Sequence, residues 1–252
     1  MVSLPPVIGH RGAADLAPEN TLAGFRAAHA AGAGWVEFAV RLSRDRHCVV
    51  IHDATTERIA ARKARVSRRT LDQLRALDAG GWFAPAFAGE QLPELGEALD
   101  VLGELGLGAN IELKPIGRLG RVLAATTVDI IKRRRPPSPG GAIGDVLVSS
   151  FSPAILEAVR DAEHRIPRGL LMRSLRPDWR YRLRALGCAS VHCAEKALTR
   201  PVVAALKAAD VAVVAFTVND AATARRLWSW GVDAVITGAP DVLVAAWGGG
   251  RR

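Results

Sequence analysis

Val7-Ile8-Gly9-His10, a segment of helical period over 21–31, and Trp35-Val36-Glu37-Phe38-Ala39-Val40 follow one another at the start of the chain. In the middle segment Leu22 and Phe25 share a face and Gly32 marks the stop, while the flanking runs are short and apolar. Strand, helix and strand in this order imply a parallel crossover unit. The first strand runs into Gly9-His10-Arg11-Gly12, whose spacing is not that of a glycine-rich dinucleotide-binding turn.

The alternation continues to the end of the chain. Further strands are expected over 110–114, 146–149, 169–172, 189–192, 211–217 and 234–237, and further helices over 95–105, 118–134, 153–162, 201–209 and 221–230. Eight such strands in 252 residues fit a closed (β/α)8 TIM barrel, with an open doubly wound sheet as the alternative fold. One region breaks the pattern. After an extra short strand over 48–52, residues 54–93 are Arg-rich and then Gly-rich, with Trp82, Phe83 and Phe87. They read as a small insertion over the barrel mouth. Its three aromatics read first as a small hydrophobic core and second as a surface that selects substrate. The Pro/Gly-rich stretch 136–144 reads as an exposed connection. The barrel is expected to span 1–247 and to leave 248–252 as a disordered tail.

Hydrophobic content of 49% suffices for a large core, and three scattered cysteines form neither a disulfide framework nor a metal-binding pair. The start of the chain lacks a basic segment followed by a long apolar run, and no later stretch has the length of a membrane span, so a soluble, cytoplasmic protein is expected. The net charge of +9 is carried largely by Arg, as in 62–69 and 133–135, without interleaved aromatics. That pattern describes a solvated basic face with general attraction for anions. It does not describe specific nucleic-acid recognition.

Active sites of such barrels sit at the C-terminal ends of the strands. His10 and Arg11 end the first strand. Glu37 and Ala39 share the inward face of the second, with Phe38 outward, and Glu112 and Lys114 share a face of the third. His52 ends the extra strand. A single histidine at such a place is as readily a structural hydrogen-bonding residue, and Glu112 has an ordinary partner in Lys114. Two carboxylates in otherwise apolar strands nevertheless need a cation or donor. Oxygen ligands alone would favour Mg²⁺ or Ca²⁺ over zinc.

The set His10-Arg11-Gly12, Pro18-Glu19-Asn20-Thr21, Glu37, His52-Asp53 and Ile111-Glu112-Leu113-Lys114 resembles the glycerophosphodiester phosphodiesterase family. Ser149-Ser150-Phe151, Phe216-Thr217-Val218-Asn219, Gly231-Val232-Asp233 and Ile236-Thr237 extend the resemblance along nearly the whole chain. The resemblance implies a barrel with a small insertion, one divalent cation, Mg²⁺ or Ca²⁺, and hydrolysis of small glycerophosphodiesters to sn-glycerol 3-phosphate and an alcohol such as choline or ethanolamine. It makes His10 and His52 the acid and base, Arg11 and Lys114 the phosphate-binding cations, and Glu37 and Glu112 the metal ligands. The glycerol can supply an internal nucleophile and give a cyclic phosphate before water completes hydrolysis. Phe216 would form an apolar wall beside the substrate. Asn20 or Thr21 is expected to cap the first helix, Glu19 to support the site, and Asp53 to orient its local turn.

The family pattern on the second strand is Glu-x-Asp, and this chain reads Glu37-Phe38-Ala39. Alanine cannot ligate, so weaker binding of a hard cation is expected. An enzyme with water or another group in the vacant position is the first reading. A catalytically weakened phosphodiester-binding relative is the alternative. Gly238 also departs from a family Asp, at a position read as structural. Barrels that cleave sphingolipid or lysolipid diesters fit less well, because those are commonly secreted and disulfide-bonded. The oligomeric state is left open.

Overall fold

The computed structural model describes residues 2–60, 63–114, 117–134 and 146–249. In chain order its strands are β1 (Val7–His10), β2 (Trp35–Leu42), β3 (Cys48–Val50), β4 (Gly108–Leu113), β5 (Val146–Ser150), β6 (Arg168–Met172), β7 (Ser190–Ala194), β8 (Ala212–Phe216) and β9 (Ala234–Thr237). All but β3 pair in parallel, in the order β1-β9-β8-β7-β6-β5-β4-β2, and β2 returns to β1. The sheet is therefore a closed eight-stranded barrel. Strand β3 runs antiparallel along the far end of β2, with Val40 opposite Val50 and Leu42 opposite Cys48.

The α-helices among the described residues are α1 (Leu22–Ala30), α2 (Leu71–Arg75), α3 (Leu95–Glu104), α4 (Gly120–Arg134), α5 (Pro153–Ala162), α6 (Trp179–Leu186), α7 (Arg200–Lys207), α8 (Ala221–Ser229) and α9 (Pro240–Gly248). Thr21, not Asn20, caps α1: its Oγ1 accepts the Gly24 N–H at 3.1 Å. The sequence reading lacked α2, α6 and α9. Helix α6 is mostly Arg and polar, and only Trp179, Leu183 and Leu186 are buried, a stripe at i, i+4 and i+7. Helix α9 carries the chain through Gly248, which the sequence reading had assigned to the tail. Residues 136–144 and 250–252 lie outside the described residues.

Alternation along the strands separates two environments. Outward residues such as Phe38, Ile111 and Val148 join Phe25, Leu99 and Val128 in the layer between sheet and helices, where Phe25 and Phe38 lie 5.2 Å apart. Inward, Ile8, Trp35, Leu147, Val214, Ala234 and Ile236 form an apolar barrel core. Gly108 makes room for the Trp35 indole: a Cβ at this position would stand 2.2 Å from the ring. Further inward positions are polar but uncharged, namely Asn110, Ser190 and His192. Two residues beyond Trp35 and Asn110, towards the strand C-termini, come Glu37 and Glu112. Polarity thus rises along the barrel axis, and the charged end is the functional rim.

The insertion has an aliphatic core. Ile59, Val66, Leu71, Leu74 and Leu92 pack with Val49 and Ile51 beside β3. The expectation that Trp82, Phe83 and Phe87 form that core is corrected. They make a separate edge-to-face chain with ring centroids 5.7 and 5.6 Å apart, and Trp82 is 44% exposed. Trp82 Nε1–H also donates to the Ala79 carbonyl, an arrangement that suits a ring with one wet edge. Cys48, Cys188 and Cys193 are buried and unpaired. Among the described residues no helix is long and apolar enough to cross a membrane.

His192 has a measurable consequence for stability. Its Nε2 meets Ser190 Oγ at 3.0 Å, its Nδ1 meets Asn110 Nδ2 at 3.5 Å, and burial lowers its pKa from 6.5 to about 3. Between these values the unfolded chain holds the extra proton, so folding stability falls as pH drops below about 6.5. The expected contribution to that slope is up to about 1.4 kcal/mol per pH unit. Urea unfolding of wild type and His192→Gln between pH 4 and 7 checks it. The variant should show the shallower pH dependence, and equal slopes would contradict the assignment.

Candidate active site

The turn after β1 sets the first half of the site. Arg11 takes a left-handed φ of 52° and Gly12 a φ of 92°, so the chain reverses within two residues. A Cβ on Gly12 would lie 2.6 Å from the Gly24 backbone, which makes glycine necessary where the turn rests on α1. The turn is tied to β2 through Glu37: its Oε2 accepts the Arg11 N–H at 3.1 Å and its backbone carbonyl accepts the Gly12 N–H. Asn20, also left-handed, accepts the buried Ala39 N–H on its Oδ1 at 3.1 Å. Its role is to brace β2.

The second half comes from the end of β4 and the segment after β3. Lys114 Nζ lies 2.7 Å from Glu112 Oε2, so the expected ion pair is present, while the buried Oε1 has no hydrogen-bond partner among the described residues. His52 follows β3. Its Nδ1 lies 2.6 Å from Asp53 Oδ1, and its carbonyl accepts from Arg41 Nε at 2.8 Å. Asp53 therefore orients the imidazole directly, beyond the turn role read from sequence.

All seven residues singled out from sequence, His10, Arg11, Glu37, His52, Glu112, Lys114 and Phe216, line one cavity of about 460 Å³ at the C-terminal end of the barrel. Arg41, Asn110 and Arg173 also line it and were missed, and Ser149 and Phe151, which the sequence resemblance includes without a site role, line it too. Alternation on β2 was the available signal for Arg41, since 37, 39 and 41 share a face. Ala39 is fully buried between Glu37 and Arg41. The cavity wall carries four cationic side chains, Arg11, Arg41, Lys114 and Arg173, against two carboxylates, and suits an anionic ligand.

Burial and the neighbouring Arg11 charge lower the His10 pKa to about 3, and burial with the Lys114 and Arg11 charges lowers that of His52. Both imidazoles are neutral at pH 7. With Asp53 accepting from Nδ1–H, His52 presents an unprotonated Nε2. Burial and the charge of Glu112 push the Glu37 carboxyl well above the usual carboxylate range. Among the described residues no three carboxylate, imidazole or thiol groups gather as a ready ligand set. The two carboxylates still fit a hard divalent cation: they repel each other, and Glu112 keeps one buried oxygen without a donor.

Arg58 joins the two halves. Its guanidinium donates to both oxygens of Glu19 and, through Nε, to Asp53 Oδ2 at 2.8 Å. Glu19 also receives Arg11 Nη1 at 2.9 and 3.0 Å. Burial would raise the Glu19 pKa, but the Arg58 hydrogen bonds and the Arg11 charge outweigh it and hold the carboxyl below its ordinary value. One insertion residue thus fixes Arg11 through Glu19 and His52 through Asp53. At Gly238, where a Cβ would meet Asp15 Oδ1 at 2.4 Å, the space belongs to the Asp15 side chain.

Paired neutral imidazoles beside cationic side chains on a barrel rim suit proton transfer next to an anionic group, an arrangement that fits the class of phosphodiester hydrolases. The comparisons narrow the class. Residues 10–242 match the model of the glycerophosphoryl diester phosphodiesterase family, and the chain belongs to that family. A glycerophosphodiester phosphodiesterase of Caldanaerobacter subterraneus is 32% identical over 239 residues, covering 94% of this chain and 96% of its own. A phosphodiesterase of Oleispira antarctica, solved with the product sn-glycerol-3-phosphate, superposes with a TM-score of 0.93 at 35% identity over 97% of each chain. One from Agrobacterium tumefaciens gives 0.81 at 26% identity, over 96% of this chain and all of that one.

Arg58→Met should lower kcat/KM by about 10²-fold, the scale on which misplaced reacting groups lose rate. Its melting midpoint should fall by only a few degrees, because half of the Arg58 side chain is solvated. Arg58→Lys keeps the charge without the fork and should fall between the two. Turnover of Arg58→Met within twofold of wild type would show that Arg58 positions neither group.

Proposed function

We propose that this chain hydrolyses glycerophosphodiesters to sn-glycerol 3-phosphate and an alcohol. The observation that carries the reading is the convergence of His10, His52, Arg11 and Lys114 on one cavity with Glu37 and Glu112. Membership of the family and the likeness to a product-bound relative support it.

Arg11 and Lys114 hold the phosphate oxygens and offset charge that grows in the transition state. Both histidines start neutral, so one of them removes a proton from the attacking hydroxyl. The bound phosphate brings negative charge against the other imidazole and favours its protonated form, which then donates to the leaving alcohol oxygen. His52 is the better-prepared acceptor because Asp53 fixes its tautomer. Glu37 Oε2 stands 4.0 Å from His10 Nε2. If the attacking hydroxyl belongs to the glycerol, the product of this step is a cyclic phosphate. Water opens that ring with the two proton transfers reversed. Phe216 closes one side with an apolar wall.

Glu37 and Glu112 are the residues that would hold the divalent cation, Mg²⁺ or Ca²⁺. When bound, the ion polarises the phosphoryl group and orients the glycerol hydroxyls. With Ala39 in place of a carboxylate its affinity is expected to be low.

The test is release of sn-glycerol 3-phosphate from glycerophosphocholine and glycerophosphoglycerol, titrated with Mg²⁺, Ca²⁺ and a chelator. Cation-dependent turnover is expected, and no turnover of either diester at any cation concentration would overturn the reading. His10→Ala and His52→Ala should each lose about 10²–10⁴-fold in kcat with the fold intact, and an unchanged rate would remove that residue from the mechanism. Ala39→Asp should tighten calorimetric Mg²⁺ or Ca²⁺ binding by at least about tenfold, the result of restoring ligand charge. Unchanged affinity would show that position 39 does not face the ion.

A further inference from the structure

A second cavity, about 240 Å³ in volume, opens beside the first and shares Phe151, Leu171 and Arg173 with it as walls. Its remaining polar lining includes Arg176 and Arg182, and no carboxylate lines it among the described residues. Asp178, outside the lining, is divided between two guanidiniums: Oδ1 lies 3.4 Å from Arg176 Nε and Oδ2 lies 2.7 Å from Arg182 Nε. Arg173 has no carboxylate partner among the described residues. Three guanidiniums thus have one carboxylate among them, shared by two of the three.

The aromatic wall points the same way. A quaternary ammonium group binds on an open ring face or beside a carboxylate. Here the Arg173 guanidinium carbon already lies 5.5 Å from the centroid of Phe151, and Phe216 meets Phe151 edge to face at 6.0 Å. The chain's own cation occupies the position a choline headgroup would take. Guanidinium groups with unfilled donors instead suit a second phosphate or carboxylate.

We infer that the second cavity is a leaving-group subsite, and that this chain prefers glycerophosphodiesters whose alcohol carries a further anionic group, such as a phosphate, over those with a choline or ethanolamine head. The inference rests on the hydrolase reading above, because it takes the first cavity to hold the glycerophosphoryl part. Asp178 keeps Arg176 and Arg182 in place at the rim, and Arg173 spans both cavities between the scissile phosphate and the second anion.

The experiment compares glycerophosphoglycerol with the same diester phosphorylated on its terminal hydroxyl, and both with glycerophosphocholine. Calorimetric binding in chelator measures affinity without turnover, and product release with cation measures kcat/KM. In wild type the terminal phosphate should raise both affinity and kcat/KM by about tenfold or more at low ionic strength, less at high salt, with glycerophosphocholine the poorest of the three. Arg173→Met, a change at an exposed side chain, should reduce the ratio between the two glycerol diesters to within about threefold; Arg176→Met should reduce it partway. A wild-type ratio near one, or a preference for glycerophosphocholine, would overturn the inference while leaving the hydrolase reading intact. An unchanged ratio in Arg173→Met would overturn it as well. A retained binding ratio without turnover of any diester would sink the hydrolase reading and leave the anion subsite standing.

Discussion

Two carboxylates on neighbouring strands, taken out of water at one end of a closed barrel, govern this molecule. Glu37 and Glu112 are both less than a tenth exposed, and their mutual repulsion adds to the cost of burial. That cost is met locally, by Lys114 against one oxygen of Glu112 and by the Arg11 backbone amide against Glu37. Lys114 and the Arg11 side chain also line the shared cavity and make its wall cationic. The Arg11 and Lys114 side-chain charges, with burial, keep His10 and His52 neutral at pH 7. Structure and chemistry therefore share one electrostatic problem, which is why the rim is cationic and the barrel beneath it is not.

A second network carries this arrangement outward. Glu19 is buried and shared between Arg11 and Arg58, and Asp53 is shared between His52 and Arg58. The network thus ties the insertion to the barrel mouth beside its aliphatic core. The insertion acts here through an arginine, while its aromatic triad stays outside the cavity. On the far side of the rim the arginines around Phe151 are free of that constraint, and they offer their donors to whatever the leaving group carries.

Most of the barrel could be read from the chain because the apolar runs are short and the helical segments between them keep their period. Strands β1 and β9 and helix α5 lie where the sequence placed them. Helix α6 escaped because its buried stripe is three residues wide in an Arg-rich segment, and β2 outran its expected end because it carries β3 on its edge. The site residues were readable where two residues apart meant one face, as in Glu37 with Ala39 and Glu112 with Lys114. Arg58, Asp53 and Arg173 were not readable in their present roles. Arg58 and Arg173 act through contacts across the fold, to Glu19 and to Phe151, which no local spacing encodes, and Asp53 orients the ring of its neighbour His52, a side-chain geometry that adjacency alone does not encode. Trp82, Phe83 and Phe87 misled for the opposite reason: apolar type suggested a core, but the buried core of the insertion is aliphatic and the three rings pack edge to face on one another outside it.

In the proposed reaction one rim holds the phosphate between two cations and two neutral imidazoles. A crystal structure of the chain with sn-glycerol 3-phosphate bound tests it most directly. Phosphate oxygens are expected within hydrogen-bond distance of Arg11 and Lys114, with a phosphate or glycerol oxygen within reach of His10 or His52. Phosphate seated away from all four side chains, whether in the arginine-lined side cavity or elsewhere on the basic surface, would contradict it.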